Sequence, residues 1–219
     1  MITYKEIRSN ETIRTYVQSA DASLAALGFT EHSFAHVTHV AEMAGNILSE
    51  LGYDERTVEI TKIAGFLHDI GNLVNRVDHS QSGAIIAFRI LDKMGMEPQE
   101  MAKIVAAIGN HDEGTGVPVS PLAAALIIAD KSDVRRSRVR EKDLNVHDIH
   151  DRVNYSVTAS KLLLNKATSE ITLKLTIDTT YSSVMDYFEI FLSRMLMCKK
   201  AADTLGLQFR LNINGQLLL

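Results

Sequence analysis

An imidazole beside a carboxylate at the end of an apolar run is more than a packed core requires. The stretch AGFLHDIGN contains that arrangement: Ala64, Phe66 and Leu67 lead into His68 and Asp69 just before Ile70 and Gly71. The plainest account is a core histidine hydrogen-bonded to its neighbour, with Gly71 stopping a helix. The other histidines argue for more, because His32, His36, His39, His79 and His111 also sit at the edges of apolar helical patterns in the first two thirds of the chain. His32, His36 and His39, spaced four and three apart, share one helix face. Asp130 ends the run LAAALIIA, where an unpaired carboxylate would be costly. Neutral imidazoles and carboxylates are ligands for iron, manganese, zinc or cobalt, and a carboxylate can bridge two ions about 3.5 to 4 Å apart. A metal pair of that kind polarises a phosphoryl oxygen and activates water near neutral pH. His68 would then be one ligand and Asp69 a bridge.

These residues need helices to hold them. Between Thr12 and about Asp133 apolar residues recur at helical spacing, as Val37, Val40, Ala41, Ala44, Ile47, Leu48 and Leu51 do before Gly52. Helices are predicted over 12–27, 31–51, 55–68, 80–95, 98–110 and 120–135. After Arg140 the pattern changes. Val153–Leu163 and Ile171–Ile177 read as strands of a hairpin, Ser182–Leu205 as a helix, and Leu207–Ile213 as a further strand before Asn214 and Gly215. The predicted fold is mainly α, a helical bundle over 1–145 with a small C-terminal α+β (β-β-α-β) appendage over 146–219. Such a unit is too small to be counted on alone, and it is expected to pack on the bundle or on a second chain.

Composition narrows the class. The 219 residues are 46% hydrophobic and 23% charged, as in ordinary globular proteins. A formal charge of -4 and a pI near 6.1 argue against non-specific coating of nucleic acid. Cys198 is the single cysteine, which excludes an intrachain disulfide framework and a cysteine-based zinc site, and fits a cytoplasmic setting. No apolar window is long enough for a membrane span, and the N-terminal residues MITYKEIRSN do not read as a signal peptide.

His36, the pair His68-Asp69 and the distant Asp130, set in HVTHVAEMA, AGFLHDIGN and LIIADKSD, resemble the H…HD…D signature of the HD-domain phosphohydrolase superfamily, over about residues 30 to 135. His79 in DHSQSGA and His111 in AIGNHDEGTG resemble the extra histidines of its binuclear branches, which include diadenosine tetraphosphate hydrolases, membrane-anchored ribonucleases and cyclic-dinucleotide phosphodiesterases. The resemblance implies an HD-domain helical bundle with metals at its centre. Carried over by position, His36, His68, Asp69 and Asp130 would bind the first metal, and Asp69 would bridge to a second held by His79 and His111. Iron or manganese is expected ahead of zinc, cobalt or magnesium. Three residues depart from the family patterns: Asp112 stands where one branch has a second histidine, Val117 where the same branch has tyrosine, and Asn72 replaces a usual lysine.

The basic run KSDVRRSRVR follows directly on Asp130 and reads by default as a solvated helix end. Its position also makes Lys131 and Arg135 candidates for phosphate binding, with His39 and Asp112 as further substrate contacts. Met185, Met195 and Met197 read as core or dimer interface, so a homodimer through the appendage is an expectation. The function implied is metal-dependent hydrolysis of a phosphate ester or anhydride, with His68 and Asp69 at the reacting centre and a small phosphorylated substrate, a nucleotide for preference. Two alternatives stand beside it: a non-catalytic nucleotide-binding sensor or dimerisation protein, and a ribonuclease-like phosphodiesterase.

Overall fold

The computed structural model describes residues 1–140 and 149–219. The boundary expected at 145/146 therefore lies outside the described residues. Seven helices come first: α1 (Tyr4–Ser9), α2 (Glu11–Ala26), α3 (Phe34–Leu51), α4 (Glu55–Leu67), α5 (His79–Lys93), α6 (Pro98–Gly109) and α7 (Pro121–Lys131). Each start carries its chemical reason: Ser33, Asp54 and Ser120 accept hydrogen bonds from first-turn amides of α3, α4 and α7, and Pro98 and Pro121 occupy first-turn positions. Gly52 ends α3 with a left-handed φ of 88°.

Leu122 through Lys131 are all buried, which makes α7 the central helix; α3, α4, α6 and the later helix Val184–Thr204 pack around it. The helix predicted over 120–135 thus stops early, at Lys131, where Ser132 turns the chain out of the helix. The approach of α3 and α4 depends on Gly65, whose missing Cβ would sit 2.6 Å from the Cα of Ala41. Gly65→Ala is expected to force the two helices apart at a cost of about 1–3 kcal/mol, read as a lower midpoint in chemical denaturation.

Beyond residue 148 come α8 (Ile149–Ser156), β1 (Val157–Asn165), β2 (Glu170–Ile177), α9 (Val184–Thr204), β3 (Gln208–Ile213) and β4 (Gln216–Leu217). The sheet order is β1-β2-β3-β4, with β1 antiparallel to β2, β2 parallel to β3 across the α9 crossover, and β4 folded back on β3. Two features depart from expectation. Val153–Ser156 close a helix and do not begin a strand: Val153 and Ser156 are buried, the Ser156 hydroxyl donates to the Val153 carbonyl, and the Tyr155 carbonyl accepts from Arg136, so packing overrides β propensity. The second departure is β4, which folds back on β3 through a turn at Asn214 and Gly215, whose positive φ angles of 52° and 86° suit a tight hairpin.

Alternate residues of β2 and β3 (Ile171, Leu173, Leu175; Phe209, Leu211, Ile213) are buried, and α9 lies between β3 and α7. One core therefore runs from the bundle into the tail, and Met195 and Met197 belong to it. Among the described residues no helix is long and apolar enough to cross a membrane.

Candidate metal centre

The residues of interest cluster where helices end. His36 lies in the first turn of α3, His68 caps α4, Asp69 follows it, His79 is the first residue of α5, His111 comes two residues after α6, and Asp130 lies in the last turn of α7. Chain ends can be drawn inward without breaking a helix ladder. The 3-10 turn Ile70–Leu73 packs directly against α5 at Gly71, where any Cβ would strike the His79 carbonyl.

Asp69 is the hub. Its Oδ2 faces the Nε2 atoms of His68 at 3.3 Å and His36 at 3.5 Å; its Oδ1 faces those of His79 at 3.5 Å and His111 at 3.9 Å. Asp130 Oδ1 lies 3.4 Å from His36 Nε2 and 3.6 Å from His68 Nε2. All six residues are buried. His36, His68 and Asp130 form one group able to hold an ion; His68, Asp69 and His111 form another.

The outer ring nitrogens fix the tautomers. His68 Nδ1 meets the Gly65 carbonyl at 2.8 Å, His79 Nδ1 the Arg76 carbonyl at 3.0 Å, and His111 Nδ1 the Ile108 carbonyl at 2.7 Å. A carbonyl only accepts, so each Nδ1 carries a proton and each Nε2 is the ring atom turned inward. His36 is oriented alike by Asp133 Oδ2, 2.7 Å from its Nδ1. The Nε2 atoms of His36 and His68 are buried with no hydrogen-bond partner. Those of His79 and His111 face each other at 3.2 Å, a contact that two lone pairs resist. A divalent cation fits this donor set, which is nitrogen and oxygen only and is held from behind as ligating histidines usually are.

Electrostatics divide the cluster in two. Burial opposes charge on His68, but Asp69 and Asp130 outweigh it and push the imidazole up to about 10. His36 is raised as well: burial and Arg138 oppose its charge, and Asp130, Asp133 and Asp69 prevail. Burial also opposes the charges of Asp69 and Asp130, yet the neighbouring cations hold both well below the usual carboxylate range. On the other side burial dominates, lowering His79 and taking His111 down to about 3. Without a metal, then, a proton on His68 helps to balance the carboxylates and the same groups draw His36 in that direction, whereas burial favours the neutral forms of His79 and His111.

Beyond this cluster the other candidates separate. His32 Nε2 stands 4.0 Å from Asp69 Oδ2. Asp112 Oδ1 is 3.9 Å from His79 Nε2. Lys131 is buried, with Nζ 2.8 Å from Asp130 Oδ2 and 2.5 Å from Glu113 Oε2. Arg135 and His39 do not meet Asp69: they face Asp133 Oδ1, at 2.7 and 3.9 Å, on the far side of that carboxylate from His36. Asp133 itself escaped the sequence reading, although its place one helical turn after Asp130 is a usable signal. Arg138, which donates to the carbonyls of Asp133 and Glu31, and Arg194, 2.9 Å from Glu113, escaped as well. Nothing local announces Arg194. Asp133→Asn is expected to weaken metal binding about 10- to 100-fold by removing the anion behind His36, as read by competition with a chelating dye.

Comparison with known proteins gives these contacts a context. The HD-domain family model matches residues 33–152, more than half of the chain. An uncharacterised protein of Methanocaldococcus jannaschii is 26% identical over 173 residues, covering 67% of this chain and 66% of that protein. A protein of Oleidesulfovibrio alaskensis named Ribonuclease Y is 31% identical over 173 residues, covering 74% of this chain but only 31% of its own length. The chain thus spans less than two thirds of either relative. A crystal structure of a predicted HD superfamily hydrolase from an uncultured Thermotogales bacterium aligns with a TM-score of 0.42 at 24% identity, over 62% of this chain and 75% of that one.

Proposed function

Because the chain belongs to the HD-domain family, we propose that it is a metal-dependent phosphohydrolase acting on a phosphate ester or anhydride of a small molecule, a nucleotide being the class we favour. The observation that carries this reading is the convergence of four histidine Nε2 atoms on the two oxygens of one buried carboxylate, Asp69. That geometry supports two ions, one among His36, His68 and Asp130, the other against His79 and His111, with Asp69 between them. Such ions would polarise the phosphoryl oxygen and lower the pKa of water to near neutrality.

The chain's own groups do the rest. Asp69 holds the two histidine pairs at a common centre. Asp133 and the backbone carbonyls behind the imidazoles hold a proton at each Nδ1 and aim each Nε2 inward, so that Nε2 is the atom a metal would take. Lys131, fixed between Asp130 and Glu113, keeps its charge, since burial is outweighed by those two carboxylates, and it balances the acidic centre. Asp112 adjoins His79 and is our candidate for the proton to the leaving oxygen.

Elemental analysis of protein purified without chelator, followed by a phosphoester screen with added manganese, tests the reading. About two equivalents of metal with turnover is the expected result; absence of metal after reconstitution would sink it. Metal without turnover would favour the nucleotide-binding sensor. The likeness to proteins named Ribonuclease Y favours a second reading, in which the bond cleaved is a phosphodiester. Relative rates on mono- and bis-(p-nitrophenyl) phosphate separate the two.

A further inference from the structure

The sequence pattern assigned no chemistry to the tail, yet residues of α8 and α9 line a cleft of about 420 Å3 together with the segment from Leu27 to His32, Arg76, Glu113 and Arg138. That size suits a small molecule, for which sites run to about 300–1,000 Å3. The cleft adjoins the metal-ligand cluster, because His32 lies 4.0 Å from Asp69 and Arg76 Nη1 lies 3.3 Å from His79 Nε2.

Arg76 is unusually placed. Among the described residues it pairs with no carboxylate; its side-chain hydrogen bonds go to neutral acceptors, His79 Nε2 and Asn72 Oδ1 at 3.4 Å. A guanidinium beside an imidazole nitrogen that would face a dication is repelled unless an anion lies between them, and a phosphoryl oxygen meets that need. The tail supplies a second guanidinium. Arg194 of α9 lies over the Phe191 ring at 4.6 Å and donates through Nε to Glu113. Glu113 binds Lys131, which binds Asp130, so an unbroken chain of ion pairs runs from the metal-ligand cluster to the tail. Phe29, in the cleft lining, is 41% exposed, with Arg76 5.8 Å from its ring centre. An exposed aromatic face next to an arginine accepts a planar ring.

We propose that the C-terminal unit is the second wall of the substrate cleft: Arg76 and Arg194 grip the phosphate of a small phosphoester from opposite sides, and Phe29 stacks on its planar organic group. The tail then selects which phosphoesters enter. This rests on the phosphohydrolase reading above, and the test separates the two.

The full chain loaded with manganese is titrated calorimetrically with methylphosphonate and phenylphosphonate, which cannot be hydrolysed, and bound manganese is measured in every variant. Arg76→Ala and Arg194→Gln are each expected to weaken both phosphonates about tenfold with manganese content unchanged. Arg194→Lys recovers part of the loss. Phe29→Ala is expected to erase an advantage of about fivefold that phenylphosphonate holds over methylphosphonate. Arginine variants that hold manganese and bind phosphonates as tightly as the wild type would overturn the cleft and leave the hydrolase reading standing. An Arg194→Gln chain that also loses manganese would move Arg194 to the metal centre and overturn its place in the cleft, and a wild-type chain that takes up no manganese would overturn both readings.

Discussion

Asp69→Asn should lower turnover on the order of a thousandfold while the circular dichroism spectrum stays that of the wild type. The substitution keeps the shape of the side chain but removes the one charge that both histidine pairs share: Oδ2 serves His36 and His68, Oδ1 serves His79 and His111. An amide presents one oxygen, so it can satisfy one pair and turns an N–H toward the other. Losing an ion there forfeits several kcal/mol of charge stabilisation at phosphorus, and about 4 kcal/mol is a thousandfold in rate. Metal content should fall in parallel. Asp69 contributes little to the apolar core, so the bundle around α7 should hold. An Asp69→Asn chain with wild-type turnover would remove the mechanism.

The second large effect is on stability. His36 and His68 bury Nε2 atoms that no hydrogen bond satisfies, and His79 and His111 oppose lone pairs at 3.2 Å, so a cation relieves both defects in the folded state only. At a free metal concentration a thousandfold above its dissociation constant the gain is about 4 kcal/mol, which for a chain of this length raises the melting temperature by about 8–16 °C. A chelator should reverse the shift.

The pH dependence has a definite sign in each form. In the metal-free chain His68 sits at about 10, above its ordinary 6.5, so its contribution is complete below pH 6.5 and is lost as pH rises toward 10. Asp69 and Asp130 are shifted the other way, and their contribution is lost as pH falls below the carboxylate range. Metal needs His68 neutral, so loading near pH 7 should release about one proton per chain, visible as a dependence of calorimetric heat on the ionisation enthalpy of the buffer. Metal affinity should therefore rise with pH over the same range in which the metal-free chain loses stability. Uptake of metal with no proton released would show that His68 is not a ligand.

Much of the centre was legible before any coordinates. His36, His68, Asp69, His79, His111 and Asp130 stand out because each puts a polar group at the edge of an apolar pattern, a mismatch that a short window of sequence displays. The helices of the bundle were legible for a related reason: burial of one helix face writes a period into neighbouring residues, and caps such as Ser33, Asp54 and Gly52 mark the ends locally. Where tertiary contacts compete with local preference the reading slipped, as at Val153–Ser156, whose β-favouring residues close a helix held by Arg136.

What the sequence determined by itself was the set of candidate ligands, the mainly helical class and the likeness to a family, all of which rest on residue type and short spacing. Only the tertiary structure decided that Asp69 divides its two oxygens between two histidine pairs, that Asp133 backs His36 and draws away Arg135 and His39, and that Arg194 reaches Glu113 across 81 residues of chain. The physical reason is common to all three. Charge pairing acts through space over a few ångströms, and which charges come that close is set by how α7, α3 and α9 pack, a property that no local stretch of this sequence encodes alone.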